Sequence, residues 1–442
     1  MPKQESVRRL ALVSLAGTSI EWYDFFLYGT AAALIFPALF FPATLPPLVA
    51  LIASFSTFAV GFVARPIGAV IFGHFGDRAG RKAALVVALL AMGVATTLIG
   101  CLPSYASAGI LAPVLLIVLR FVQGLAIGGQ WGGAMLLVTE SAPAGKRGFY
   151  GAFAQAGVPL GVALANLAFL ISSTATSTEG FAAWGWRLPF ILSIALVGLA
   201  LFVKFRVEES VAFRSARPAA QRSPIVEAFR RYPRQIVLAA GTFIASSLSF
   251  YIMITFVLAY ESAAGLGLSR TAMLLAVLIS MGVMLPSVFL FGALSDRLGR
   301  RRVYMAGALL TGLWSFALFP LIETGSFAWT AFALCVGHLF GAMMYGPQAA
   351  LFAELFDTNV RYSGASLGYQ IGSIFGGALA PIIATSLFAR YHDSVAISVY
   401  IALTCSVSLV ATAMLKETRG VALQSAAPAL QVLEGRTPGV AS

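Results

Sequence analysis

Apolar runs of about twenty residues, the length that crosses a bilayer core as one helix, follow one another along almost the whole of this chain. Scanned at that window, its 442 residues contain twelve candidate spans, at about 11–39, 48–72, 83–102, 110–138, 149–172, 188–205, 236–260, 271–293, 303–322, 328–353, 363–389 and 395–415. Twelve such runs in succession do not make a soluble core. Composition agrees, since 59% of the residues are apolar and only 10% charged, against roughly 25% charged in a soluble domain. This excludes a cytosolic enzyme, a secreted disulfide scaffold and a disordered chain. The expected fold class is all-α integral membrane. No cleaved signal peptide is expected, because the first run is too long for a signal core and already carries Glu21 and Asp24.

The net charge of +12 does not point to nucleic acid, because the basic residues sit in short clusters between apolar runs. Their placement sets the topology instead. One set of loops and tails holds 24 of the 29 Lys and Arg residues, whereas the opposite loops hold only Arg187, Arg270 and Arg390. By the positive-inside rule both termini and the basic loops face the cytoplasm; the expected location is a plasma membrane, of bacterial inner-membrane type. Cys101, Cys335 and Cys405 all fall in apolar stretches without paired spacing and read as packing residues. No metal or cofactor motif is present, and a monomer is expected.

An internal repeat divides the chain. Gly73 to Lys82 reads GHFGDRAGRK and Gly292 to Arg301 reads GALSDRLGRR, each between the second and third span of its half. Glu140 with Arg147 recurs as Glu354 with Arg361 before each fifth span, and Glu209-Ser210 recurs as Glu417-Thr418 after each sixth. These parallel recurrences predict two six-helix halves, at 1–205 and 235–416, joined by a basic cytoplasmic linker at 206–234 and followed by a tail at 417–442. In the doubled loop, Gly73 and Gly292 permit close helix approach at the turn, and Asp77 and Asp296 can cap the following helix or pair with an Arg across the half. With Arg78, Arg81, Arg297 and Arg300 they form a candidate conformational gate, to which Arg65 is added because its span position lies toward the cytoplasmic end.

Ionisable residues inside a membrane cost several kcal/mol unless paired or hydrated, so each is a functional hypothesis. Glu21 and Asp24 lie about 10 and 13 residues along the first span, roughly 15–20 Å deep, and share a face with Tyr28. Burial favours the protonated form of a carboxyl and a nearby cation the ionised form, so an acid that meets an arginine in only some conformations can load and release a proton. A permanently paired structural acid is the alternative. Arg120, about 15 Å into the fourth span, is the expected partner of these acids or a clamp for a substrate carboxylate. Gln123 and the glycines 124, 128 and 132 follow it. Further candidate substrate contacts are Tyr28, Gln123, Gln130, Tyr251, His338, Tyr345, Gln348, Tyr369 and Gln370. A lone His on an apolar helix, as His338 is, is more often a packed, hydrogen-bonded residue.

The stretches EWYDF from Glu21, RPIGAVIFGHFGDRAGRK from Arg65, RFVQGLAIGGQWGGA from Arg120 and WGWRLPF from Trp184 together resemble the major facilitator superfamily and, within it, the metabolite:proton symporter family. The resemblance runs from about Leu10 to Arg419 and implies a carrier of dicarboxylates, tricarboxylates, shikimate-like acids, or proline and betaine. Gln130 departs from the family pattern, which has Glu there. No nucleophile–base pair, metal cluster or Walker lysine supports an enzyme or an ATP-driven pump. The rival is a non-transporting sensor that keeps the fold. The sequence favours proton-coupled import of a small organic acid or zwitterion by alternating access, with lipid, protons and the cargo as partners.

Overall fold

The computed structural model describes residues 4–79, 81–128, 131–143, 145–206, 224–357 and 360–421. Among them there is no strand, and the long helices number twelve. They are α1 (Gln4–Leu34), α2 (Pro47–Ala79), α3 (Arg81–Gly100), α4 (Leu111–Ile127, with Trp131–Ser141 beyond it), α5 (Arg147–Thr174) and α6 (Arg187–Arg206). The second half has α7 (Pro233–Ala264), α8 (Arg270–Leu298), α9 (Arg300–Glu323), α10 (Phe327–Glu354), α11 (Arg361–Tyr391) and α12 (Val395–Met414). Eight of these are long and apolar enough to span a bilayer by length and composition alone. The chain is an all-α integral membrane protein. Part of the expected linker is a short helix at Pro224–Arg231; residues 207–223 and 422–442 lie outside the described residues.

The side chains are distributed as lipid solvation requires. On α12, Leu403, Val407, Val410 and Met414 recur at helical spacing and are more than half exposed, while Ser408, Thr412 and Cys405 are buried. Large apolar groups face outward and small or hydroxylated ones inward, because lipid gives no hydrophobic reward for burying leucine and helices associate by close packing and hydrogen bonds. Ser408 illustrates the second part: its hydroxyl donates to the Gly241 carbonyl on α7 (2.6 Å) and accepts from the Ala245 amide (3.0 Å). Close packing shows where α4 crosses α2, since a Cβ on Gly124 would run into the Gly61 carbonyl and one on Gly128 into that of Arg65.

The halves meet where α5 packs on α8 and α10 and where α2 packs on α11. α7 and α11 each contain one π-helical turn, at Ile252–Phe256 and Ile374–Ala378. The second lies against α2, with Gly377 so close to Phe62 and Tyr251 that any side chain there would displace them.

The doubled motif differs from the expected loop. α8 continues through Asp296 to Leu298, and the reversal falls on Gly299, whose φ of 103° suits glycine. Gly292 does not serve its own turn; it lies against Gly148 of α5, across the interface between halves. Side chains at 73–85, and hence the first copy's Asp77, Arg78 and Arg81 with the surroundings of Gly73, lie outside the described part, as does Gln130.

Candidate functional site

The middle of α1 presents different chemistry on adjacent faces, because successive helical residues point about 100° apart. Phe25 and Tyr28 turn toward α2 and α4, whereas Tyr23 turns toward α6, where its hydroxyl donates to the Pro189 carbonyl at 3.0 Å. Asp24 follows the second direction. It is fully buried, Ser193 of α6 faces it, and neither carboxylate oxygen has a partner at hydrogen-bonding geometry. The expected Asp24–Arg120 pair is therefore absent. Glu21, one turn earlier, is partly exposed.

Arg120 is fully buried and held by neutral groups. Its Nη1 donates to Gln123 Oε1 at 3.1 Å, and Gln123 Nε2 donates to the Thr96 hydroxyl on α3 at 2.7 Å. Its guanidinium carbon lies 4.1 Å from the Phe25 ring centroid, 4.3 Å from that of Tyr28 and 4.7 Å from that of Phe58. Arg65, expected as a gate residue toward the cytoplasmic end of its span, is 1% exposed, 4.3 Å from the Phe25 centroid and 4.4 Å from that of Phe62. Two cations thus share the Phe25 ring. Cation–π attraction is strongest where water is excluded, which explains how buried arginines persist here without carboxylates. Arg65 Nε and Nη2 and Arg120 Nη2 remain without partners. Tyr28 gives its hydroxyl to Thr57 at 2.6 Å.

Beside this cluster lies a small cavity walled by Trp22 of α1, Val158 of α5, Met284 of α8, Tyr369 of α11 and side chains of α7 and α10. Of the substrate contacts expected from sequence, Tyr251, His338, Tyr345 and Tyr369 line it. Arg120, Gln123 and Tyr28 do not, because they are committed to the neighbouring cluster. Gln348 is buried with both amide atoms unpaired, outside this cavity, and Gln370 donates instead to the Gly128 carbonyl at 3.4 Å. Arg65 connects the two regions, lying 5.3 Å from the centroid of Trp22 and within reach of the Tyr251 hydroxyl. Sequence reading missed Ser247, a buried cavity residue with an unpaired hydroxyl, and Phe25, Phe58 and Phe62, since one serine or phenylalanine among so many carries no distinguishing signal.

The end that carries both termini is tied across the halves. Asp296 does not cap the following helix; its carboxylate accepts from the amides of Gly148 and Phe149 at the start of α5, at 2.9 and 3.0 Å. The α9 N-terminus is capped by Glu417, which accepts from the Arg300 and Arg301 amides. Arg300 bridges Asp296 at 2.7 Å and Glu354 at 3.3 Å, and Arg361 reaches Glu140 of the other half at 2.7 Å. Arg297 is exposed and takes no part. The recurrence of Glu140 with Glu354 was visible in sequence, but the pairing of Glu140 with an arginine of the opposite half was not.

Comparison with known proteins agrees with this architecture. The Sugar (and other) transporter family matches residues 10–226 and the Major Facilitator Superfamily residues 255–434. The chain is 43% identical over 423 residues to the inner membrane metabolite transport protein YhjE of Escherichia coli, covering 94% of this chain and 95% of that one. It is 42% identical to the shikimate transporter of Escherichia coli, covering 93% and 95%. With the proline/betaine transporter of Salmonella typhimurium it shares 30%, covering 96% and 86%. In structure it resembles a partially occluded inward open conformation of the xylose transporter XylE from Escherichia coli, with a TM-score of 0.75 at 18% identity over 94% of this chain and 99% of that one. The chain belongs to the major facilitator superfamily, and it is a multi-pass membrane transporter rather than an enzyme.

Proposed function

We propose that the chain is a proton-coupled symporter that imports a small organic acid by alternating access, with Asp24 carrying the proton. The observation that carries this reading is Asp24 itself, fully buried, with the Ser193 hydroxyl facing it and no arginine against it. A fixed charge in that position is too costly to keep through both cavity openings, while a carboxyl that gains and loses a proton avoids the cost. The unpaired guanidinium nitrogens of Arg65, next to the cavity wall, support an anion as cargo. Residues 1–205 and 235–416 are the rocking units, and the basic end with the linker and both termini faces the cytoplasm of a bacterial inner membrane. The named relatives carry metabolites, shikimate, or proline and betaine, which agrees with a small polar cargo.

The driving force is adequate. A proton moving down 100 mV releases about 2.3 kcal/mol and each pH unit adds about 1.4, enough together for roughly 500-fold accumulation of a neutral solute. In proteoliposomes, Asp24→Asn is expected to abolish accumulation driven by a pH gradient while leaving cargo exchange at least partly intact, because exchange needs rocking but no net proton release. Gradient-driven accumulation at the wild-type level would move the coupling role to Glu21.

A further inference from the structure

The proposed site has a charged side and a neutral side, and one residue on the neutral side has its hydrogen-bond polarity set by the fold. His338 is fully buried on α10, and its Nδ1 lies 2.9 Å from the carbonyl oxygen of Leu334, one turn back on the same helix. A carbonyl only accepts, so Nδ1 carries the proton. Among the described residues no Asp or Glu lines the cavity, so nothing there holds a second proton on the ring. Nε2 is then a bare acceptor. It has no partner, and neither has the buried hydroxyl of Ser247, which lines the same cavity from α7. Phe250 packs edge-on against the imidazole at 5.9 Å between centroids and restrains its plane.

An acceptor of this kind is chemically selective. It repels a carboxylate, has nothing to accept from a fully alkylated ammonium, and is satisfied by an O–H. We propose that His338 Nε2 and Ser247 Oγ form a hydroxyl-reading subsite, so that the cargo is a hydroxylated acid whose carboxylate turns toward Arg65 and whose hydroxyl turns toward α7 and α10. His338 is on this account a specificity-determining residue. The inference rests on the organic-acid reading above and adds to it the requirement for a hydroxyl. Selectivity comes from the unpaired atom: a buried acceptor left unsatisfied by a deoxy analogue costs that analogue affinity, at about tenfold for one ordinary hydrogen bond.

The test is equilibrium binding to the purified full-length chain, using shikimate, its deoxy counterpart cyclohex-1-ene-1-carboxylate, and glycine betaine. The wild type is expected to bind shikimate at least about tenfold tighter than the deoxy acid. His338→Phe, which keeps an aromatic ring without the acceptor, is expected to lose that preference while its affinity for the deoxy acid stays the same. His338→Gln, which returns an acceptor near the Nε2 position, is expected to restore part of it. Ser247→Ala, a smaller change, is expected to narrow the preference severalfold. Equal binding of both acids by the wild type would overturn the hydroxyl subsite and leave the organic-acid reading standing. Equal loss of both acids in His338→Phe, with the preference intact in Ser247→Ala, would overturn it in favour of a packing role. Tight binding of betaine with neither acid bound would overturn both readings.

Discussion

The first half of the molecule presents charge to the membrane interior, and the second half presents neutral polar groups. Asp24, Arg65 and Arg120 are all buried on α1, α2 and α4, whereas the cavity wall from α7 and α10 offers serines, tyrosines and His338. The halves share one architecture and one repeated motif, so the difference is not a consequence of fold. It shows in what the aromatic rings enclose: in the first half Phe25, Tyr28, Phe58 and Phe62 surround guanidiniums, and in the second the rings pack against neutral groups, Phe250 on His338 and Phe243 on Tyr369. Two halves of one architecture can therefore diverge in the chemistry of the walls they present.

The most direct way to break this contrast is to discharge the first half. Arg120→Ala leaves Gln123 without its donor, empties the space beside Phe25 and removes three ring contacts, which together should cost about 2–5 kcal/mol. Uptake should fall below detection and the melting temperature in detergent should drop, while Arg120→Lys should recover much of the stability and little of the transport. Wild-type uptake by the alanine variant would show that the charged wall is dispensable.

Next in size is the tie at the basic end. Asp296→Asn keeps the shape of the α5 cap but removes its charge and the bridge to Arg300, a loss of about 1–3 kcal/mol. Cysteines placed near that end should become severalfold more reactive and turnover should change, with cargo affinity nearly constant. A large affinity loss at unchanged turnover would contradict a gating role.

Gly124→Ala tests whether the arginine cluster needs its close helix crossing. The added Cβ meets the Gly61 carbonyl, so α4 must move away from α2, at about 1–3 kcal/mol. Activity should fall with stability, and a neutral result would mean that the crossing is looser than it looks.

The smallest expected effect lies outside the membrane. Tyr232 donates its hydroxyl to Asp357, and that hydrogen bond, ahead of burial, raises its pKa above the ordinary value. A raised folded pKa means that the stabilisation is complete below the unfolded value near 10 and is lost as pH rises through the folded one. Tyr232→Phe should therefore matter slightly at neutral pH and not at all in strong alkali, as read from melting temperature against pH. Reporter fusions at Ala219 and at the C-terminus check the cytoplasmic placement of the basic end; an external signal from either would reverse it.

Much of the fold was legible in the residues. The twelve expected spans fall on the twelve observed helices, with α1 displaced most, because an apolar run of bilayer length has no other way to satisfy its backbone in lipid. Helix ends were less legible. α8 runs five residues beyond its apolar stretch, from the expected 293 to Leu298, since a helix at the interface continues for as long as its backbone bonds can be made, whatever the polarity of its side chains. The site was only partly legible. Tyr251, His338, Tyr345 and Tyr369 share a cavity, whereas the aromatic rings around Arg65 were not evident from its position toward the cytoplasmic end of its span.

The sequence by itself determined the class of the protein, the number and approximate limits of its helices, its internal repeat and the identity of its buried charges. Each of these depends on local quantities: the length of an apolar run, the spacing of a motif, the cost of a charge in hydrocarbon. Tertiary structure alone decided which of those charges meet. Asp24 faces Ser193 instead of Arg120, Asp296 caps a helix of the other half instead of its own neighbour, and Gly292 packs against Gly148. The physical reason is rotation about the helix axis. One residue turns a side chain by about 100°, so the choice of partner depends on how whole helices are set against one another, which is decided by close contacts distributed over the entire interface.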